Sequence, residues 1–139
     1  MGTGFKGSSP THRSILENLS NLKSEYTYNN GYFFEKGLGR EHTRDNYSEN
    51  PLETAQEFYD KLTYGGIESE FTNGKGLKTR MADGTIVSFR ETSTSDGSPV
   101  VEINIQKSSN YGDLKQQKIH FVLGGNKEWK RLIWDLAKM

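Results

Sequence analysis

Apolar positions recur with helical spacing in three segments of this chain and alternate with polar ones in four others. In "HRSILENLSNLKSEY", Ile15, Leu16, Leu19 and Leu22 share one stripe of a helix, and Thr11 or Ser9 stands where a cap is needed. "NPLETAQEFYDKLTYGG" predicts a second helix with full punctuation: Asn50 at the N-cap, Pro51 at N1, Glu53 at N3 and Gly65 past the end. Its inward stripe is Leu52, Ala55, Phe58 or Tyr59, and Leu62. Between the two, "TYNNGYFFEKGLGREHTRDNYSEN" keeps neither period and reads as loop. From Gly76 the period becomes 2. "GLKTRM" and "TIVSFRE" flank the hairpin signal "ADG", and "PVVEINIQ" and "QQKIHFVL" follow as further strands around the polar loop "KSSNYGDLK". A third helix, Asn126 to Met139, places Trp129, Leu132, Ile133 and Leu136 on one side, with Trp134 beside them. Turn-sized connections favour antiparallel pairing. The expected fold is α+β: N-terminal helices packed on a four-stranded antiparallel sheet, closed by a C-terminal helix.

Composition narrows the class. The 139 residues suit one domain, which would bury roughly two-thirds of its unfolded surface. The lead "MGTGFKGSS", residues 1–9, reads as a linker or cloning remnant of something longer, and 10–139 as the single domain. No apolar run approaches the ~18 residues of a membrane span, and no signal peptide is recognisable. With no cysteine, disulfides, thiol catalysis and cysteine-ligated zinc are excluded. Net charge is zero, yet residues 1–74 hold 7 Lys and Arg against 11 Asp and Glu, and residues 75–139 hold 11 against 7. That asymmetry permits a basic functional face on a neutral protein.

Alternation assigns the strand side chains to two faces. Val87, Phe89, Val101, Ile103, Ile105, Ile119 and Phe121 point one way; Ser88, Arg90, Glu102, Asn104, Lys118 and His120 point the other. The hydroxyls of Thr92, Ser93, Thr94, Ser95 and Ser98 rim the polar face. An ordinary antiparallel sheet turns such a face to solvent. Here its inventory also matches what metal-free cleavage of a phosphodiester requires. A histidine exchanges protons near neutrality, an arginine fork fits phosphate oxygens, and in RNA the 2′-OH supplies the nucleophile. The loop segment "GREHTRDNY" adds His42 and Arg44, residues that in a polar loop commonly form only local surface ion pairs. His12, beside Arg13, reads as a surface or capping residue. Tyr26, Tyr28, Tyr32, Phe33 and Phe34 suit core packing more readily than base stacking. No His or carboxylate spacing makes a metal site, and no cofactor is expected.

"MADGTIVSFRETSTSDGSPVVEINI" followed by "QKIHFV" resembles the C-terminal toxin domains of LXG-type bacterial polymorphic toxins, the YobL- and YxiD-like toxins of Bacillus. The likeness extends over about Gly7 to Leu123. It implies membership of the ribonuclease superfamily that groups barnase, EndoU, the anticodon-cutting colicins and RelE, with the active site on the sheet. It further implies secretion within a larger toxin, action on RNA in the cytoplasm of a rival bacterium, and neutralisation by a cognate immunity protein. The matching motif, an arginine ending a strand, a serine-rich loop, then Gly, Pro and an apolar strand, falls on Arg90, Ser93, Ser95, Gly97 and Pro99. The expectation is therefore a metal-independent ribonuclease. Arg90 and Lys118 bind the scissile phosphate, Ser93 and Ser95 position it, and His120 or His42 removes the 2′-OH proton. Arg44, Ser88, Asn104 and Thr92 complete the substrate-binding set. The alternatives are a toxin of another chemistry, such as DNA cleavage, and a non-catalytic interaction domain.

Overall fold

A computed structural model describes residues 13–37, 40–93, 97–105 and 113–124. Helix α1 (Ile15–Glu25) is followed by the short strands β1 (Tyr28–Asn29), β2 (Tyr32–Phe33) and β3 (Glu35–Lys36), then β4 (Thr43–Ser48). Helix α2 (Pro51–Leu62) leads into five strands: β5 (Ile67–Glu70), β6 (Leu77–Arg80), β7 (Ile86–Arg90), β8 (Val100–Asn104) and β9 (Gln117–Leu123). The segment 126–139, expected as a closing helix, lies outside the described residues, as do His12, Ser95, Trp129 and Trp134. Among the described residues no helix is long and apolar enough to cross a membrane.

The expectation of helices on a four-stranded antiparallel sheet is overturned. Seven strands form one mixed sheet in the order β3-β4-β9-β8-β7-β6-β5, and β1 and β2 form a separate two-stranded sheet. The strands read from alternation, β6 to β9, make an antiparallel meander at its centre. Beyond them β4 runs parallel to β9, with Asp45 opposite His120 and Tyr47 opposite Val122. Alternation could not reveal β4, "TRDNYS", because it buries Arg44 and Asp45 where a legible strand would carry apolar residues. Strand β5, "IESE", is exposed along its whole length and is held by pairing with β6.

Both helices lie against one face of the sheet. Ile15, Leu19 and Leu22 of α1 and Ala55, Phe58, Tyr59 and Leu62 of α2 join Val87, Phe89, Val101, Ile103, Ile119 and Phe121 in the core. Leu52, expected in the stripe of α2, is instead 40% exposed. The cap of α1 is Ser14, whose backbone N–H donates to Glu17 Oε2 at 3.2 Å, not Thr11 or Ser9. Buried Asn18 ties the helices together by donating to the carbonyls of Leu62 and Tyr64, both at 2.9 Å. Those oxygens lie at the C-terminal end of α2, where carbonyls lack intrahelical partners. Phe33, Phe34, Phe58 and Phe121 pack ring against ring, so these phenylalanines are core. Gln117 anchors the β1-β2 hairpin to β9: its Oε1 accepts the Phe33 N–H at 2.8 Å and its Nε2 donates to the Gly31 carbonyl at 3.0 Å.

Candidate functional site

Cross-strand register arranges the face opposite the helices in rows. One row runs Glu35, Asp45, His120, Val100, Arg90 across β3, β4, β9, β8 and β7. A second runs Thr43, Lys118, Glu102, Ser88, Lys78, Ser69 across β4, β9, β8, β7, β6 and β5. In the first row His120 and Arg90 are two strands apart, which puts their Cα atoms roughly 10 Å from each other.

His120 is 6% exposed. The hydroxyl of Ser98 lies 2.9 Å from its Nδ1, so the loop after Arg90 returns to engage the histidine ring. Backbone bonds close that loop: Ser93 N–H donates to the Ser98 carbonyl at 2.7 Å, and Phe121 N–H of β9 donates to the Pro99 carbonyl at 2.9 Å. Asp45, 4% exposed, is the register partner of His120 on the other side. Tyr47 follows two residues along β4 on the same face. Burial, then the charges of Asp45 and Glu35, push its phenol up to about 12, so at neutral pH it is an O–H donor.

Arg90 ends β7 half-buried. Its Nη2 lies 3.8 Å from Glu102 Oε1, a diagonal neighbour, and its guanidinium stands 6.0 Å from the centre of the Phe71 ring. The Nε of Arg90 is buried and has no hydrogen-bond partner among the described residues. The arm runs over Gly76, where an added Cβ would come within 2.8 Å of Arg90 Cγ and of the Phe89 carbonyl. At that end of the sheet a cleft of about 810 Å³ is lined by Arg90, Glu91, Thr92, Gly76, Asn73 and Gln56, among others.

The expected site residues separate into two groups. Arg90, Lys118, His120, Ser88 and Asn104 share the outer face, with Ser93 and Thr92 in the loop beside it. His42 and Arg44 do not join them. His42 is exposed, with its Nδ1 2.9 Å from the Tyr32 hydroxyl. Arg44 points to the helix side, where its Nε and Nη2 donate to the carbonyls of Phe33 and Phe34 at 3.0 and 2.9 Å, and its Nη1 donates to that of Glu41 at 3.1 Å. It is a staple of the fold. Asp45 and Tyr47 are not among the residues the sequence points to, and Ser98 is expected there only as one of the rim hydroxyls. Asp45 and Tyr47 fall in the stretch read as loop, and only the parallel β4-β9 pairing brings them beside His120. Among the described residues no three His, Asp or Glu side chains are grouped to hold a metal ion.

No protein-family model, curated protein or solved structure matches this chain.

Proposed function

We propose that this domain is a ribonuclease toxin that cuts RNA through its own 2′-OH. The observation that supports it most is the row Asp45, His120, Arg90, with Ser98 on the histidine Nδ1. Ser98 orients the ring so that Nε2 handles the proton of the 2′-OH. The 2′-oxygen then attacks phosphorus, the P–O5′ bond breaks, the 5′-oxygen takes a proton from water to leave as a 5′-OH, and a 2′,3′-cyclic phosphate forms. Arg90 and Lys118 neutralise the charge that gathers on the phosphate oxygens, and Asp45 offsets the charge the ring acquires. The resemblance of 81–105 and 117–122 to polymorphic-toxin domains supports the same reading. It brings delivery from a larger secreted protein into the cytoplasm of a target bacterium and a cognate immunity protein in the producer.

The test is cleavage of single-stranded RNA by purified protein in EDTA. Wild type is expected to cut, and Arg90→Ala to lose cleavage while keeping its circular dichroism spectrum. Full activity in Arg90→Ala would overturn the assignment, and loss of wild-type cleavage in EDTA would transfer it to metal-dependent chemistry, such as a DNase. A second reading has its own observation: Ser88, Ser93 and His120 are all buried, as an internal polar network would be. In that reading the domain binds without cutting, and wild-type protein leaves both RNA and DNA intact.

A further inference from the structure

The outer face is open toward the β5 edge. There Lys78 and Arg80, at i and i+2 on β6, are exposed on the same side of the sheet. Ile67 and Ser69 of β5 and Ile86 of β7 flank them, and the five residues line a groove of about 430 Å³. Ile67 is 62% exposed although it is a large apolar side chain. In register, Gly76 precedes Leu77, the partner of Phe89, so it lies level with Arg90. Arg90, Lys78 and Arg80 therefore mark three successive levels along the β6-β7 pair. Each level is two residues, about 7 Å, from the next. That interval is close to the repeat of neighbouring phosphates along an extended single strand. Double-stranded RNA is recognised chiefly by its shape and by 2′-OH and phosphate contacts across the minor groove, whereas a single strand also offers unstacked bases to side chains.

We infer that the groove of Ile67, Ser69, Lys78, Arg80 and Ile86 holds the single-stranded RNA flanking the scissile bond, its phosphates on Lys78 and Arg80 and a base against Ile67 and Ile86. The inference rests on the ribonuclease reading for which bond is cut, but not for whether RNA is bound. Sequence-independent contacts of this kind show themselves in salt dependence: each cation on a single-strand phosphate contributes a slope of about 0.7 in log K against log salt. The apolar side chains of Ile67 and Ile86 beside the cations give an unpaired base a surface to lie against, which a base held within a duplex stack does not reach.

The experiment uses a fluorescent 12-nucleotide 2′-O-methyl RNA, which has no 2′-OH to attack, and fluorescence anisotropy across a salt series. The Lys78→Ala/Arg80→Ala double variant is expected to bind roughly tenfold or more weakly than wild type, with a slope smaller by about 1.4. Lys36→Ala, on β3 at the opposite edge, is expected to match wild type. Equal affinity and slope in the double variant would overturn the inference, as would no wild-type binding. Stronger capture of a polyglutamate peptide than of RNA, with the same dependence on Lys78 and Arg80, would assign the groove to an acidic protein surface and also overturn it. Cleavage of a natural RNA scores the other reading separately. Wild type that binds through Lys78 and Arg80 but cuts nothing refutes only the ribonuclease; wild type that cuts with an unchanged slope refutes only the groove.

Discussion

Replacing Arg44 separates a residue that binds substrate from one that holds the fold. Its guanidinium, 7% exposed, donates to three backbone carbonyls and lies 4.8 Å from the centre of the Tyr32 ring. One of those carbonyls belongs to Phe34, which sits at φ 61°, a backbone state that bulky residues rarely adopt. Burial lowers the Arg44 pKa from its ordinary value, with the charges of Tyr32, Glu41, Asp45 and Glu35 acting against it; the guanidinium remains charged at neutral pH. Arg44→Ala leaves the buried oxygens of Phe33 and Phe34 without partners, at about 1–3 kcal/mol each, and removes the stacking contact. Water can reach the Glu41 oxygen, so the total expected is roughly 3–5 kcal/mol, or a fall in Tm of about 10–15 °C. Arg44→Lys keeps the charge but not the fork, and is expected to recover less than half of the loss. Urea denaturation followed by far-UV circular dichroism reads both variants. A loss below about 1 kcal/mol in Arg44→Ala, with RNA binding abolished, would refute the structural assignment and return Arg44 to the substrate site.

Asn18→Ala strips the partner from two carbonyls at the end of α2 and is expected to cost about 1–3 kcal/mol in the same assay, without change in RNA affinity. Ser98→Ala removes the hydroxyl on His120 Nδ1 and is expected to lower kcat by roughly tenfold or more while KM and stability hold; an unchanged kcat would remove Ser98 from the site. A pH effect is expected at Asp113, whose carboxyl is held below the ordinary carboxylate range first by the Tyr28 hydroxyl at 2.8 Å and also by Lys23 at 3.7 Å. Because its folded pKa is depressed, the stabilisation is present above the ordinary carboxylate pKa and fades as pH falls through the lower folded value. Asp113→Asn should therefore be less stable than wild type at pH 7 and equal to it once both carboxyl states are protonated, a convergence that urea denaturation at the two pH values would show or deny.

Strand alternation made the central meander legible, because Val87, Phe89, Val101, Ile103, Ile119 and Phe121 bury one face while polar residues take the other. Capping chemistry did the same for α2, where Asn50 and Pro51 stand at its start. Asn30-Gly31, with φ of 55° and 88°, forms the β1-β2 turn, and that dipeptide is a hairpin signal obscured by the aromatic, glycine-rich stretch around it. Strand β4 has no such signal, and β5 has only the Asn73-Gly74 dipeptide in the loop that joins it to β6, with Gly74 at φ 72°. Strand β4 buries an arginine and an aspartate and owes its existence to a partner far along the chain, whereas β5 is polar at an edge and is held by the neighbouring strand β6. The candidate site divides along the same line. Arg90, Lys118 and His120 follow from period 2 alone, whereas Asp45 reaches His120 only through a parallel pairing that local sequence does not encode. His42 suits the site by residue type alone, and the chain direction at the start of β4 turns it to Tyr32 instead.

The most direct test of the proposed chemistry is the chemical nature of the cut ends. An RNA carrying a single 2′-deoxynucleotide at each observed cleavage position is compared with its all-ribose parent, and the products are resolved by mass spectrometry. Attack by the 2′-OH predicts a 2′,3′-cyclic phosphate and a 5′-OH from the parent and no cut at the deoxy position. A linear phosphate end, or undiminished cleavage at the deoxy position, would contradict it.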